Sequence, residues 1–420
     1  MFESLINDAL VSHFESNDLF SDHQYGFRRN RSTADHLTVI TEKICKALDG
    51  NGVARTIALD ISKAFDRVWH AGLLQKLSSY GVKGKVFNII RSFLQNRSLK
   101  VVLDNQSSST FSINAGVPQG SILGPILFLV FINDLPDKER IFSDIGIYAD
   151  DTSIYKCSNG RPSPNDHHQL VMDLEHDLAN FLNWGSDWRV SFNAAKTKLL
   201  TVHHLRTDEF PSVSMGSDRL TESSSFRLLG LTFSNDLTWG DYITSVAKLA
   251  SMKVGSLVRA RGFLSNEAIL YIYKSVIRPS MEYCSHIWAG APAKYLSMLD
   301  RIQKRVVNLV GPELGSVLHS FSHRRNVASL SLFYKYFHQQ CSRELFDLVP
   351  PLKKFRPNLR CAGESHRYTV VPPRSKRCFY ASSFFPRTSA VWNDLPVSCF
   401  PDGYDLLTFK RRVNRHLLSS

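Results

Sequence analysis

Tyr148-Ala149-Asp150-Asp151 sets two adjacent carboxylates between short apolar runs. The run from Ile145 to Tyr155 alternates like a hairpin, which would carry Asp150-Asp151 at its tip. Like charges side by side repel, so a fold that keeps them needs positive charge close by, most simply a divalent metal. Upstream, Thr56-Ile57-Ala58-Leu59 reads as a buried strand and ends in a third carboxylate, Asp60. Oxygen-only ligands that leave room for water and phosphate suit Mg²⁺. Three such carboxylates holding two ions can stabilise both oxygens of an in-line phosphoryl displacement. Each aspartate alone could equally sit in a turn or cap a helix.

Between these carboxylates lies Ala115-Gly116-Val117-Pro118-Gln119-Gly120-Ser121-Ile122-Leu123-Gly124-Pro125. Its glycines let backbone approach a ligand closely, and Gln119 can donate and accept hydrogen bonds as a base or sugar edge demands. The apolar run Ile122 to Ile132 is too short, and too interrupted by proline, to span a bilayer, and reads as a helix buried behind the site.

Leu59-Asp60-Ile61-Ser62-Lys63-Ala64-Phe65-Asp66, then Gly116 to Pro125, then Tyr148 to Asp151 resembles the palm of reverse transcriptases, above all those of non-LTR, jockey-type retrotransposons. Gln24-Tyr25-Gly26-Phe27-Arg28-Arg29-Asn30-Arg31-Ser32-Thr33, Asn193-Ala194-Ala195-Lys196-Thr197-Lys198 and Leu228-Leu229-Gly230-Leu231 extend the likeness in the family's order over roughly residues 5–235. The resemblance implies a right-hand polymerase of the α+β class. It assigns Asp60, Asp150 and Asp151 as ligands of two Mg²⁺ ions, with Mn²⁺ as a substitute. Phe65 would lie under the sugar of the incoming nucleotide, where a ring collides with a 2′-hydroxyl. Ile61, Gln119 and Gly120 would line the nucleotide pocket. Lys196 would protonate or screen the departing pyrophosphate. Arg28 and Arg31 would reach the triphosphate or template backbone through their guanidinium forks, and Leu229-Gly230 would grip the primer end. The implied partners are an RNA template, a DNA primer and deoxynucleoside triphosphates. Against each role stands a plainer one: Phe65 as core, Lys196 as a solvated lysine, Gly230 as an ordinary turn glycine. Asp66 is expected to cap the following helix rather than bind metal.

Of 420 residues, 43% are hydrophobic, enough for a sizeable core in two or three subdomains. The net charge of +13 is unevenly spread. Residues 1–240 hold 24 basic and 27 acidic side chains, and residues 241–420 hold 27 and 11. The basic half points to a polyanionic partner. Seven cysteines without a CxxC pair suit a reducing compartment. Cys361, His366 and Cys378 match no zinc spacing and read as ordinary residues of a loop-rich region. No secretory signal and no membrane-length apolar run is present, so an intracellular place in cytoplasm and nucleus is expected.

Along the chain, helices are expected at Phe2–Phe20, Leu73–Tyr80, Val86–Leu94 and His167–Trp184, with Leu170, Leu174, Leu178 and Phe181 on one face of the last. Leu99–Leu103 and Thr110–Ile113 flank a polar turn, Asp104–Ser109, while Lys198–Val202 and Phe226–Phe233 read as strands. Beyond Tyr242 the pattern turns helical at Ile243–Arg261, Asn266–Ile277 and Ala293–Val310. The division that follows is partial fingers over 1–54, palm over 55–235, helical thumb over 236–311, and a basic region of unassigned role over 312–420. That last region is rich in Pro, Ser and Arg with an apolar patch, Leu330–Phe337, embedded in it, and Leu348–Arg377 is expected to contain long loops. Only twenty-three residues precede Gln24, and the family's Arg-Pro-Ile-Ser motif is missing from them, so the chain is expected to begin inside the fingers. Neither an upstream endonuclease nor a following RNase H signature is visible. A non-catalytic nucleic-acid-binding remnant is therefore the rival reading, and an intron maturase a distant third. Oligomeric state is left open.

Overall fold

The computed structural model describes residues 1–136, 141–205, 210–353 and 366–419. Its first part runs α1 (Phe2–Ser16), α2 (Thr33–Asp49), β1 (Val53–Leu59), α3 (His70–Ser79), α4 (Gly84–Leu94), β2 (Arg97–Leu99), β3 (Val102–Leu103), β4 (Gln106–Ser107), β5 (Phe111–Ile113) and α5 (Leu123–Ile132). Then come β6 (Asp144–Tyr148), β7 (Asp151–Cys157), α6 (Pro164–Trp188), β8 (Lys198–His203), β9 (Ser214–Met215), β10 (Asp218–Arg219), β11 (Ser225–Leu228) and β12 (Leu231–Ser234). Four strands form one antiparallel sheet in the order β6-β7-β1-β8. β1 lies inside this sheet and is buried almost throughout, which is why its sequence runs apolar instead of alternating. α5 is apolar on all sides because it is buried on all sides, packing with α1 and α3 behind the sheet. α6 starts at Ser163, where a reciprocal Ser163–Asp166 capping box and Pro164 fix its first turn. The α+β class and antiparallel sheet expected from the motifs are those observed.

The second part is helical: α7 (Gly240–Arg259), α8 (Asn266–Ile272), α9 (Arg278–Glu282), α10 (Ser285–Trp288) and α11 (Ala293–Val310). The expected single helix Asn266–Ile277 is interrupted, since Tyr273–Ile277 widens to a π turn before α9. Pro279 explains this, because it has no N–H to donate and its ring crowds the preceding turn.

Three further expectations are corrected. The run Phe226–Phe233 is not one strand but the hairpin β11–β12, folded at Leu229-Gly230, both of which have positive φ. The polar turn after Leu103 is tighter than Asp104–Ser109. Leu103 pairs with Gln106, leaving Asp104-Asn105, both at positive φ, as the bend. Asp66 caps no helix; it sits inside the short 3₁₀ turn Ala64–Arg67.

The largest difference lies after Gly311. Helices form there that the composition did not announce: α12 (Pro312–Gly315), α13 (Phe321–Phe337), α14 (Arg343–Phe346), α15 (Cys378–Ala381), α16 (Phe384–Asn393) and α17 (Leu406–Ser419). Leu348–Arg377, where long loops are expected, holds no helix among the described residues. Elsewhere the Ser and Pro residues serve as helix starts. Ser320 and Ser342 accept from the backbone N–H groups of His323 and Leu345, and Pro312 opens α12. These helices build a core around Trp392, Phe333, Tyr334 and Phe409 that also takes in Tyr25 and Val39 from the start of the chain. The boundary expected at 311/312 therefore does not separate independent cores. Part of the basic charge here is spent internally. Arg324 pairs with Glu282, Lys335 with Asp35 at 3.0 Å, and Arg325 and Arg387 are largely enclosed. Cys361 lies outside the described residues, while His366 is buried, with its ring held between the Tyr368 N–H and the Trp392 carbonyl.

Candidate active site

Strand register assembles the three aspartates. Leu59 pairs with Thr152, so the next residue on each strand end, Asp60 and Asp151, come to the same edge of the sheet. Tyr148 pairs with Asp151, so the tip is Ala149-Asp150 and not the expected Asp150-Asp151, because Asp151 already belongs to β7. Asp60 is half-buried; Asp150 and Asp151 lie on the exposed rim. The Asp151 carboxyl is raised above its ordinary range by desolvation and then by the charges of Asp150 and Asp60. The three carboxylates therefore repel one another, which is the signature of a site built for an outside cation.

The tip is held by a residue that the sequence offered only as part of a motif. Ala149 has φ +56°, a conformation that costs an alanine energy. Its N–H donates to Gln24 Oε1 at 3.1 Å, and the Gly26 N–H donates to the same oxygen at 2.8 Å. The Gln24 segment also bonds directly to β6, with the Tyr25 N–H donating to the Ile147 carbonyl at 2.7 Å and the Ile147 N–H to the His23 carbonyl at 2.8 Å. A Cβ on Gly26 would lie 2.5 Å from the Ala149 nitrogen, so the approach requires glycine.

The loop Ala115–Gly120 docks on the turn after Asp60. The Gly116 and Val117 N–H groups donate to the carbonyls of Val68 and Phe65, and Gln119 Nε2 donates to Asp66 Oδ1 at 3.0 Å. Gln119 and Gly120 are exposed, and nothing stands within 4 Å of where a Gly120 Cβ would be. Phe65 stacks on Phe128 with ring centroids 4.3 Å apart and remains partly exposed, so it is braced from behind by the core. From the opposite side, the Ser62 N–H donates to the Ser191 carbonyl, and the Asn193 N–H donates to the Asp60 carbonyl. This pairing leads Lys196 to Asp60, Nζ to Oδ2 at 3.7 Å. With Lys196 two-thirds exposed, the pair is weak and free to exchange.

Two of the expected contacts are not made as expected. Ile61 is buried, so its side chain is core and does not face the pocket. Arg28 and Arg31 are not free forks. Arg28 is clamped to Glu15 at 2.8 Å and to the Ser21 carbonyl, Arg31 to Asp22 at 2.8 Å, and both guanidiniums are almost fully covered. Arg28 thereby fixes the Gln24 segment against α1, while Arg31 ties that segment together through Asp22.

The turn Leu229-Gly230 is held from the thumb. Tyr283, following α9, bonds the Leu229 carbonyl at 2.7 Å. Sequence reading gave no sign of this, because a lone tyrosine carries no spacing signal.

As donors, the three aspartates fit hard divalent cations, being oxygen-only, mutually repulsive and open to solvent on two of three. Among the described residues no three His, Cys, Asp or Glu side chains already converge at ligand spacing, so binding would draw these carboxylates inward. No helix among the described residues is long and apolar enough to cross a membrane.

The family model for reverse transcriptase (RNA-dependent DNA polymerase) matches residues 1–233. This chain belongs to the reverse transcriptase family. Among curated relatives, the RNA-directed DNA polymerase from mobile element jockey of Drosophila melanogaster is 30% identical over 321 residues, which is 74% of this chain and 34% of that protein. The probable RNA-directed DNA polymerase from transposon X-element of the same fly is 28% identical over 316 residues, with the same coverage. The chain thus spans about a third of the length of the curated relatives it matches. Among solved structures, Candida albicans telomerase in complex with a fragment of telomeric RNA aligns with 75% of this chain and 57% of its own, at 14% identity and a TM-score of 0.41. The jockey-type resemblance read from the motifs agrees with these relatives.

Proposed function

We propose that this chain is the polymerising core of a non-LTR retrotransposon reverse transcriptase, which extends a DNA 3′-hydroxyl on an RNA template with deoxynucleoside triphosphates. The observation that carries this is the strand register that brings Asp60, Asp150 and Asp151 to one sheet edge, where desolvation and then its two neighbours raise the Asp151 carboxyl. Asp60, Asp150 and Asp151 would hold two Mg²⁺ ions, with Mn²⁺ as substitute. Bound there, the ions would lower the pKa of the primer hydroxyl and neutralise charge on the departing pyrophosphate. The chain's own groups do the rest. Phe65, backed by Phe128, closes the space beside a 2′-hydroxyl. Gln119 and Gly120 offer an exposed polar edge to the nucleotide. Lys196, loosely held by Asp60, is placed to donate a proton or screen charge once the aspartate is engaged elsewhere. The Leu229-Gly230 turn supports the primer end. Primer, template RNA and nucleotides would meet in cytoplasm or nucleus.

The test is primer extension on a poly(rA)/oligo(dT) duplex. Asp150→Asn should lower the rate by about three orders of magnitude while changing duplex affinity and melting little, since the loss is one of charge stabilisation. Retention of more than about a tenth of the rate, a cost of at most roughly 1.4 kcal/mol, would remove Asp150 from the site.

A further inference from the structure

We infer that Tyr283 is a positioning residue for the primer terminus, acting through the turn Leu229-Gly230. The inference rests on reading that turn as the primer support.

Tyr283 stands at the end of α9, well past the part of the chain that carries the polymerase motifs. Its place is fixed on its own side, where Trp288 Nε1 donates to the Tyr283 carbonyl at 2.9 Å and Cys284 takes a left-handed φ of +49° that turns the chain sharply into α10. From there the phenol reaches across to two other parts of the molecule. Its oxygen is 2.7 Å from the Leu229 carbonyl and 3.1 Å from Thr33 Oγ1. A phenol has one proton. The carbonyl can only accept, so the proton goes to Leu229, and the Thr33 hydroxyl donates its own to the phenol oxygen. The chain Thr33–Tyr283–Leu229 is therefore directional. Burial first, and then the neighbouring Cys284, push the phenol up to about 12, so it stays a donor throughout the neutral range.

The geometry makes this more than a packing contact. The β11–β12 hairpin is only four residues long on each side and bends at two positive-φ residues; Leu228 and Leu231 anchor the positions flanking the bend in the core, and the Tyr283 bond fixes the bend itself. The Tyr283 ring lies flush against the bend; a Cβ on Gly230 would meet its Cε1 at 3.3 Å. One hydroxyl thus ties the turn to the first residue of α2. A shift of about 1 Å in a reacting group can cost roughly a hundredfold in rate, so a bond that fixes this turn fixes the primer hydroxyl.

The test uses the full chain with Tyr283→Phe, which removes one oxygen and keeps the ring. A primer carrying 4-thiothymidine at its 3′ end, annealed to RNA, reports by photocrosslinking which peptide the terminus touches, whether or not the chain extends it. In the parent protein the crosslink should fall within residues 225–234. In Tyr283→Phe its yield there should drop at least fivefold and the extension kcat roughly tenfold. Nucleotide KM, duplex Kd and the melting midpoint should stay within about twofold or a few degrees. Thr33→Val should give a smaller loss in the same direction. A parent crosslink outside 225–234 would overturn the primer-support reading itself. A crosslink inside 225–234 that Tyr283→Phe leaves unchanged would overturn the role of Tyr283 alone. A loss that came with matching falls in duplex affinity and melting would show a merely structural bond, and would overturn it too.

Discussion

Replacing Gln24 by Met keeps the length of the side chain and removes its acceptor. The Gln24 oxygen takes two N–H groups, from Gly26 at 2.8 Å and from Ala149 at 3.1 Å, in a residue that is only 2% exposed. Without it both donors are left unpaired in a buried place. Each costs about 1–3 kcal/mol, so the sum is roughly 2–6 kcal/mol. Set against a typical stability of about 5–15 kcal/mol, the variant should still fold, with a clearly lower urea midpoint and an unchanged slope. Ala149 also loses the brace for its positive φ, and so the Asp150 tip should wander. Ala149→Gly in the Gln24→Met background should restore about 1 kcal/mol by relieving that strain. The assay is equilibrium urea unfolding of the parent, the single variant and the double variant, with extension measured in parallel. A loss below about 0.5 kcal/mol for Gln24→Met would refute the reasoning, because it would mean that both N–H groups find other partners at no cost.

Two more outcomes are expected. Glu42 is buried with Tyr380 donating to it at 2.6 Å, and desolvation raises its carboxyl from 4.5 to about 7. Between these values the folded chain keeps a proton that the unfolded chain has lost, so this contribution is fully present below about pH 4.5 and is lost as pH rises through about 7. Its size is on the order of 3 kcal/mol. Glu42→Gln should flatten the dependence and be the more stable protein at pH 8, which urea midpoints at pH 5 and pH 8 would check; equal slopes with pH in both proteins would count against it. Phe65→Val should lower the preference for dCTP over CTP in kcat/KM by at least about tenfold, and an unchanged ratio would leave Phe65 as a core residue stacked on Phe128.

The edge that carries Asp60, Asp150 and Asp151 was legible because its signals are local. Adjacent acids after an apolar strand are costly anywhere else, and the two-residue period of the hairpin fixes which residues share an edge. What stayed illegible depended on partners far away in sequence. Arg28 and Arg31 look like phosphate ligands until Glu15 and Asp22 are seen beside them. Ile61 sits next to a ligand yet points into the core. Tyr283 meets its partners across 54 and 250 residues. The helices after Gly311 were not legible from composition, because serine and proline are common both in turns and at helix starts. Only the apolar residues behind those caps decide between the two.

The way the last helices clasp α2 has a consequence for how the chain comes to be folded. Asp35 receives Lys335, Glu42 receives Tyr380, and Asp49 receives the backbone N–H groups of Lys376 and Arg377. The carboxylates of α2 are therefore completed by residues about three hundred positions later. At about 5–20 residues per second, a ribosome needs roughly 15–65 s to travel from Asp49 to Lys376. For that interval α2 exists with its acids uncompensated and one side of its surface bare. The sheet, which takes its first strand from just after α2, has no finished neighbour on that side until Lys376 and Tyr380 have been made. Contacts of such long sequence separation are slow to close and leave the early segment exposed to misassembly while it waits. Loss of residues 376–419 would therefore be felt first at α2.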